Sequence, residues 1–210
     1  MDYYHHLFER YPSLKTLKDA IWEAYEILVD SYERGGKLLT CGNGGSASDS
    51  DHIVGELMKG FYKLRPLRGE EKQKMGSLGN RLQGALPAIA LTMHPALSTA
   101  FLNDVDSEMV FAQQVYGYGR EGDVLLALST SGNSKNVLHA VRVARAKGMK
   151  VISLTGRDGG ALKGYSDVSL IVPASVTADI QELHLPLYHT LCAMLENHFF
   201  PEEETDSVML

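Results

Sequence analysis

The sequence predicts an α/β fold, a parallel sheet covered by helices on both faces. Three observations carry this expectation: a helix-periodic N-terminal stretch, a series of short apolar runs, and intervening segments long enough for crossover helices. From Ser13 to Arg34, apolar residues recur at Leu14, Leu17, Ile21, Tyr25, Leu28, Val29 and Tyr32. That is helical spacing, and Gly35-Gly36 supplies a stop. The runs KLLTC, PAIALT, DVLLALS, KVISLTG and DVSLIVP then read as strands. They alternate with segments such as Ser134 to Lys147, and an apolar run without polar alternation suits a strand buried on both faces. The stretch from Ala178 to Phe199 reads as a last helix.

One domain is expected over 1–210, with the long N-terminal helix at about 13–34. A polar, glycine-containing insertion is placed at about 65–86 and an acidic tail at 201–210. With 44% hydrophobic and 22% charged residues the chain is of ordinary globular composition. A net charge of -6 argues against a nucleic-acid partner, because phosphate backbones are held by clustered Lys and Arg. No apolar run approaches the ~18 residues that cross a bilayer, and the start MDYYHHLFERYPSL lacks signal-peptide order. No membrane association and a cytoplasmic location are therefore expected. Cys41 and Cys192 show no ligand spacing and are read as structural.

Ligands of open parallel sheets collect where strand ends feed into helix N-termini. Two loops there have suitable chemistry. In GNGGS, Gly42 to Ser46, three of five residues lack a side chain, so backbone N–H groups can approach an anion. In STSGNS, Ser129 to Ser134, four hydroxyls follow a strand and precede a helix. Together they read as a phosphate site that needs no lysine, though neither is a Walker or dinucleotide pattern. His52 and Glu56, four apart on the helix after the first loop, share a face. The spacing suits a metal pair or an acid/base pair, and by itself reads first as a surface contact. Gln181, Glu182, His184 and His189 form a second set, while His5, His6, His94 and His139 are read as ordinary surface or core histidines.

The motifs CGNGGSASDSDH with GEL, Asn103-Asp104, REGDVLLALSTSGNSKNV, KGMKVISLTGRDGG and IQELH followed by His189 resemble those of the phosphoheptose isomerases of the SIS family. The resemblance implies a single SIS domain with a five-stranded parallel sheet flanked by helices. It implies a homotetramer with active sites at subunit interfaces, and an aldose–ketose isomerase acting on sedoheptulose 7-phosphate through an enediol. Heptose biosynthesis is the corresponding pathway class. Carried onto matching positions, Glu56 is the base and His189 the acid. His52, Glu56, Gln181 and His189 match zinc ligands, one ion per active site. Asn43, Gly44, Gly45 and Ser46, with Glu56, Asn103, Asp104 and Gln181, match sugar-contacting positions, and Ser129, Thr130, Ser131 and Ser134 the phosphate cradle.

Gln181 and His189 are about 12 Å apart along a straight helix at ~1.5 Å per residue. Ligands of one zinc lie within ~2.3 Å of it. Either Pro186 breaks the helix or the two residues serve different subunits, and the second reading is taken. The chain departs from the resemblance in having Lys59, Gly60 and Phe61 where Gly-Arg-aromatic is expected, in the long excursion from Leu67 to Leu86, and in lacking a glycine after Asn-Asp. The rival reading is a non-catalytic SIS protein that binds a sugar phosphate or the replication initiator, against which the joint presence of Glu56 and His189 argues.

Overall fold

The computed structural model describes residues 2–201. The expected acidic tail lies outside the described residues, apart from Pro201. All five apolar runs are strands: β1 (Leu38–Cys41), β2 (Ala88–Ala90), β3 (Val124–Leu128), β4 (Lys150–Thr155) and β5 (Val168–Ile171). They form one parallel sheet in the order β2-β1-β3-β4-β5. β1 thus lies between β2 and β3, and the chain leaves β1 toward β2 but β3 toward β4, in opposite directions. The crevice beside the carboxyl ends of β1 and β3 is where such sheets hold ligands.

The expected N-terminal helix is divided. A first helix α1 (Tyr3–Arg10) precedes a 3₁₀ stretch at Pro12–Leu17, and α2 (Lys18–Glu33) follows. Pro12 occupies the start of the 3₁₀ stretch, where its missing N–H costs nothing. Leu14 and Leu17, three apart and buried, fit a three-residue turn as well as an α-helical one. Spacing alone could not separate the two. The remaining helices are α3 (Gly45–Met58), α4 (Gly69–Lys74), α5 (Pro95–Asp104), α6 (Val110–Tyr118), α7 (Lys135–Ala146) and α8 (Thr177–Phe199).

Side chains alternate across the sheet. Val124, Leu126 and Leu128 enter a core shared with α1, α2, α3 and α8, whereas Leu125 and Ala127 enter one shared with α6 and α7. Both faces being covered, β3 is buried at every position. The insertion over 65–86 is mostly exposed and carries α4 and a 3₁₀ turn at Gly76–Asn80. Its ends are drawn together by an antiparallel bridge from Pro66 to Gln83 and by Gly84 N donating to Arg65 O at 2.6 Å. Both cysteines are free and buried, and burial pushes both thiols up, Cys41 to about 12. Among the described residues no helix is long and apolar enough to cross a membrane.

His184 is fully buried on α8, with Nε2 3.2 Å from the Thr155 carbonyl and Nδ1 without a hydrogen-bond partner among the described residues. A second ring proton would have no acceptor, and burial lowers its pKa to about 4. The unfolded chain takes up this proton near pH 6.5, the folded one only near 4. Below pH 6.5 the unfolded state therefore binds more protons. Stability is expected to fall as pH drops from about 6.5 to about 4, by about 3 kcal/mol from this residue. Urea unfolding of the protein beside His184→Gln between pH 4 and 8 checks it; equal slopes for both would refute the assignment.

Candidate active site

α3 and α8 lie side by side and advance in the same direction from the sheet's carboxyl edge. At their N-terminal ends the Gln181 amide rests on Gly45. A Cβ at that glycine would stand 2.3 Å from Gln181 Nε2, so any other residue there would push the amide aside. Two turns further along, His52 Nε2 lies 3.0 Å from Glu56 Oε1 and 3.4 Å from His189 Nε2. Glu56 Oε2 accepts from Lys59 Nζ at 3.0 Å. The surface-contact reading of the His52–Glu56 spacing is too small, because a residue 137 positions away completes the group.

Glu56 is largely covered, its side chain 12% exposed, while that of His52 is 42% exposed. The pKa of His189 is lowered, first by burial and then by the nearby His52, with Glu56 acting in the opposite sense. Near pH 7 His189 is accordingly a neutral imidazole, with one N–H and one lone pair. The Phe61 ring lies 5.2 Å from it.

The floor of the group is built by an ion pair. Arg65 Nε donates to Glu196 Oε1 at 2.8 Å, and both side chains are shut off from solvent at 0% and 1% exposed. Arg65 also donates to the carbonyls of Leu57 at 2.7 Å and Glu56 at 3.0 Å and lies over the Phe200 ring. The N–H groups of Phe61 and Tyr62 donate to the Glu196 carboxylate, each at 2.8 Å. The end of α3, the loop after it and the last turns of α8 are thereby held together around Glu56.

The two loops also meet. Asn43 and Asn136 exchange reciprocal amide hydrogen bonds, both 2.9 Å, joining the loop after β1 to the start of α7. Ser129 Oγ lies 3.0 Å from Ser134 Oγ, and Asn133 N donates to Ser131 Oγ. Gly132 (φ +66°) approaches Gly159 so closely that a Cβ would stand 2.0 Å from its carbonyl oxygen. Asn133 Oδ1 accepts from Ala161 N, so the loop at 156–160 backs the hydroxyl loop.

Several expected positions fall elsewhere. Ser46 is buried and packs beneath Gly42, so its side chain braces the loop instead of facing a ligand. Ser129 is likewise buried at the strand end. Asn103 and Asp104 are exposed at the end of α5, paired with each other, and α5 packs chiefly on α6 and the 107–109 turn. One chain therefore does not bring them to the α3/α8 group. α8 runs unbroken through Pro186, which removes the helix-break explanation for Gln181 and His189. Three of the four expected zinc ligands assemble within one chain and Gln181 stands apart from them. Asn136, Arg65, Glu196 and Tyr188 were not anticipated; all act through partners too distant in sequence for spacing to reveal.

The sheet order and the two strand-end loops define a doubly wound α/β domain with a ligand crevice at its topological switch point. The family model described as SIS domain matches residues 2–72 and 69–156. The chain is 45% identical over 187 residues to a phosphoheptose isomerase of Helicobacter pylori (strain P12), covering 89% of this chain and 88% of that protein. It is 39% identical over 193 residues to that of Shewanella frigidimarina (strain NCIMB 400), covering 90% and 89%. A solved phosphoheptose isomerase from Neisseria gonorrhoeae, 38% identical, aligns with TM-score 0.75 over 90% of this chain and 91% of that one. The chain belongs to the SIS family and, within it, to the phosphoheptose isomerases, which are aldose–ketose isomerases.

Proposed function

We propose that the protein interconverts sedoheptulose 7-phosphate and D-glycero-D-manno-heptose 7-phosphate, with Glu56 and His189 as its proton-transfer pair. The convergence of Glu56, His52 and His189 beside the two strand-end loops carries this reading. The phosphate is held by the hydroxyls of Thr130, Ser131 and Ser134 and the N–H groups at the start of α7, with Ser129 bracing them. Asn43, Gly44 and Gly45 receive the sugar backbone. Glu56 takes the proton from the carbon bearing hydroxyl in one isomer and returns it to the neighbouring carbon in the other. His189, neutral and carrying a single N–H, passes a proton between the two oxygens, so the enediol forms and collapses without net gain or loss.

His52 Nε2, Glu56 Oε1 and His189 Nε2 present converging lone pairs unless a proton or cation lies among them. Their 3.0 and 3.4 Å separations match the roughly 3.3 Å edge of a tetrahedron of ligands about 2.0–2.1 Å from a zinc ion. Among the described residues no group of three or more His, Cys, Asp or Glu side chains already stands in metal-holding geometry. His52, Glu56 and His189 would hold the ion. When bound, it supplies a Lewis acid for the carbonyl oxygen.

Gln181, carried to the glycine loop by an unbroken α8, serves the metal group of a neighbouring subunit in a homotetramer whose active sites lie at the interfaces. Asn103 and Asp104 reach a neighbouring site in the same way. Exposed Met93, Leu97, Leu102 and Val105, on and around a helix with no buried residue, support such an interface. The test is turnover of sedoheptulose 7-phosphate by zinc-loaded and chelator-treated protein, beside hexose and pentose ketose phosphates. Conversion of the heptose alone, lost on chelation and regained with zinc, is expected; no turnover of any sugar phosphate would overturn the assignment.

A further inference from the structure

Behind His52 lies a hydrogen-bonded chain that the reaction itself does not use. His52 Nδ1 is 3.1 Å from the Tyr188 hydroxyl, which in turn lies 3.1 Å from Asp49 Oδ1. Asp49 and His52 stand one turn apart on α3, whereas Tyr188 comes from α8, immediately before His189. Tyr188 is 1% exposed, and its ring meets those of His52 and His189 edge-on at 5.6 and 5.0 Å. It has little freedom to point its hydroxyl elsewhere.

We propose that Tyr188 and Asp49 are positioning residues that fix His52 with its proton on Nδ1, so that the Nε2 lone pair is presented to a divalent metal. The inference rests on the zinc-site reading above. A phenol has one proton to give, and an ionised carboxylate can only accept. The Tyr188 proton therefore goes to Asp49, and the phenol oxygen accepts from Nδ1–H of His52. The reverse arrangement would strip Asp49 of that donor. Its other oxygen, Oδ2, is buried with no hydrogen-bond partner among the described residues, so the carboxylate can ill spare the donor at Oδ1. With Nδ1 protonated, the neutral ring has its lone pair on Nε2, the atom that faces Glu56 and His189. A partner on the far ring nitrogen is how proteins set both the tautomer and the aim of a histidine ligand.

The experiment is zinc titration of the metal-stripped full-length protein against a chromophoric chelator, for the natural chain, Tyr188→Phe, Asp49→Asn and the double variant. Tyr188→Phe keeps the ring and deletes only the hydroxyl. Each single variant is expected to bind zinc about 10–100-fold more weakly. The double variant should be little worse than either, because the two residues act as one chain. Melting temperatures of the metal-free proteins should stay within a few degrees of one another. If the natural chain binds zinc and Tyr188→Phe binds it equally well, the positioning role is wrong while the metal site stands. A natural chain that binds no zinc overturns both. Weakened binding matched by a comparable loss of metal-free stability would show a packing role and also overturn the inference.

Discussion

Glu56→Gln protein is expected to fold, to assemble and to lose at least about 10²–10⁴-fold in turnover of sedoheptulose 7-phosphate. The amide is nearly the same size as the carboxylate, and it can still accept from Lys59. It cannot remove a proton from carbon. A fall in kcat with little change in KM is the signature of an interaction used in the transition state, and near-normal kcat would remove Glu56 from its proposed role. The same variant tests the shared site. Mixed with Gln181→Ala chains under conditions that exchange subunits, it should regain activity in on the order of a quarter of the sites, those pairing an intact Glu56 with a neighbour's intact Gln181. Exchange with no recovery would confine each site to one chain.

Glu196→Ala is expected to be the most destabilising single change near the site, by about 3–5 kcal/mol. The mutation leaves the guanidinium of Arg65 buried without its counter-charge, and two backbone N–H groups, at Phe61 and Tyr62, lose their acceptor. Replacing both partners at once, Arg65→Met with Glu196→Leu, should recover the part of the loss that comes from the orphaned charge, while the Phe61 and Tyr62 N–H groups stay without their acceptor. Chemical unfolding of the single and double variants measures both; a loss below about 1 kcal/mol for the single change would show that water reaches the pair.

The strands and their loops were legible because their signals are local. KLLTC and DVLLALS are buried on both faces and show it as unbroken apolar runs, while GNGGS and STSGNS show their small and hydroxyl residues in one window. His52 and Glu56 were legible as a pair for the same reason. The ends of α1 and α2 were not, since Leu14 and Leu17 satisfy a 3₁₀ turn and an α-helix alike. Direction was hidden too: Ser46 carries a suitable hydroxyl in a suitable loop, but only the packing under Gly42 turns it inward. The remaining omissions are long-range pairs. Arg65 finds Glu196 across 131 residues, and Asn43 finds Asn136 across 93, distances over which no periodicity speaks.

The Asn43–Asn136 clasp has a consequence for how the ligand is sensed. It is made of two uncharged amides, so salt does not screen it and no proton detaches from it in any solution the fold survives. The loop after β1 and the start of α7 are therefore joined by a contact that a change from neutral to acid buffer does not titrate. On the proposed reading, this clasp adds no pH dependence of its own to the capture of a phosphate, whose second ionisation falls near about 6.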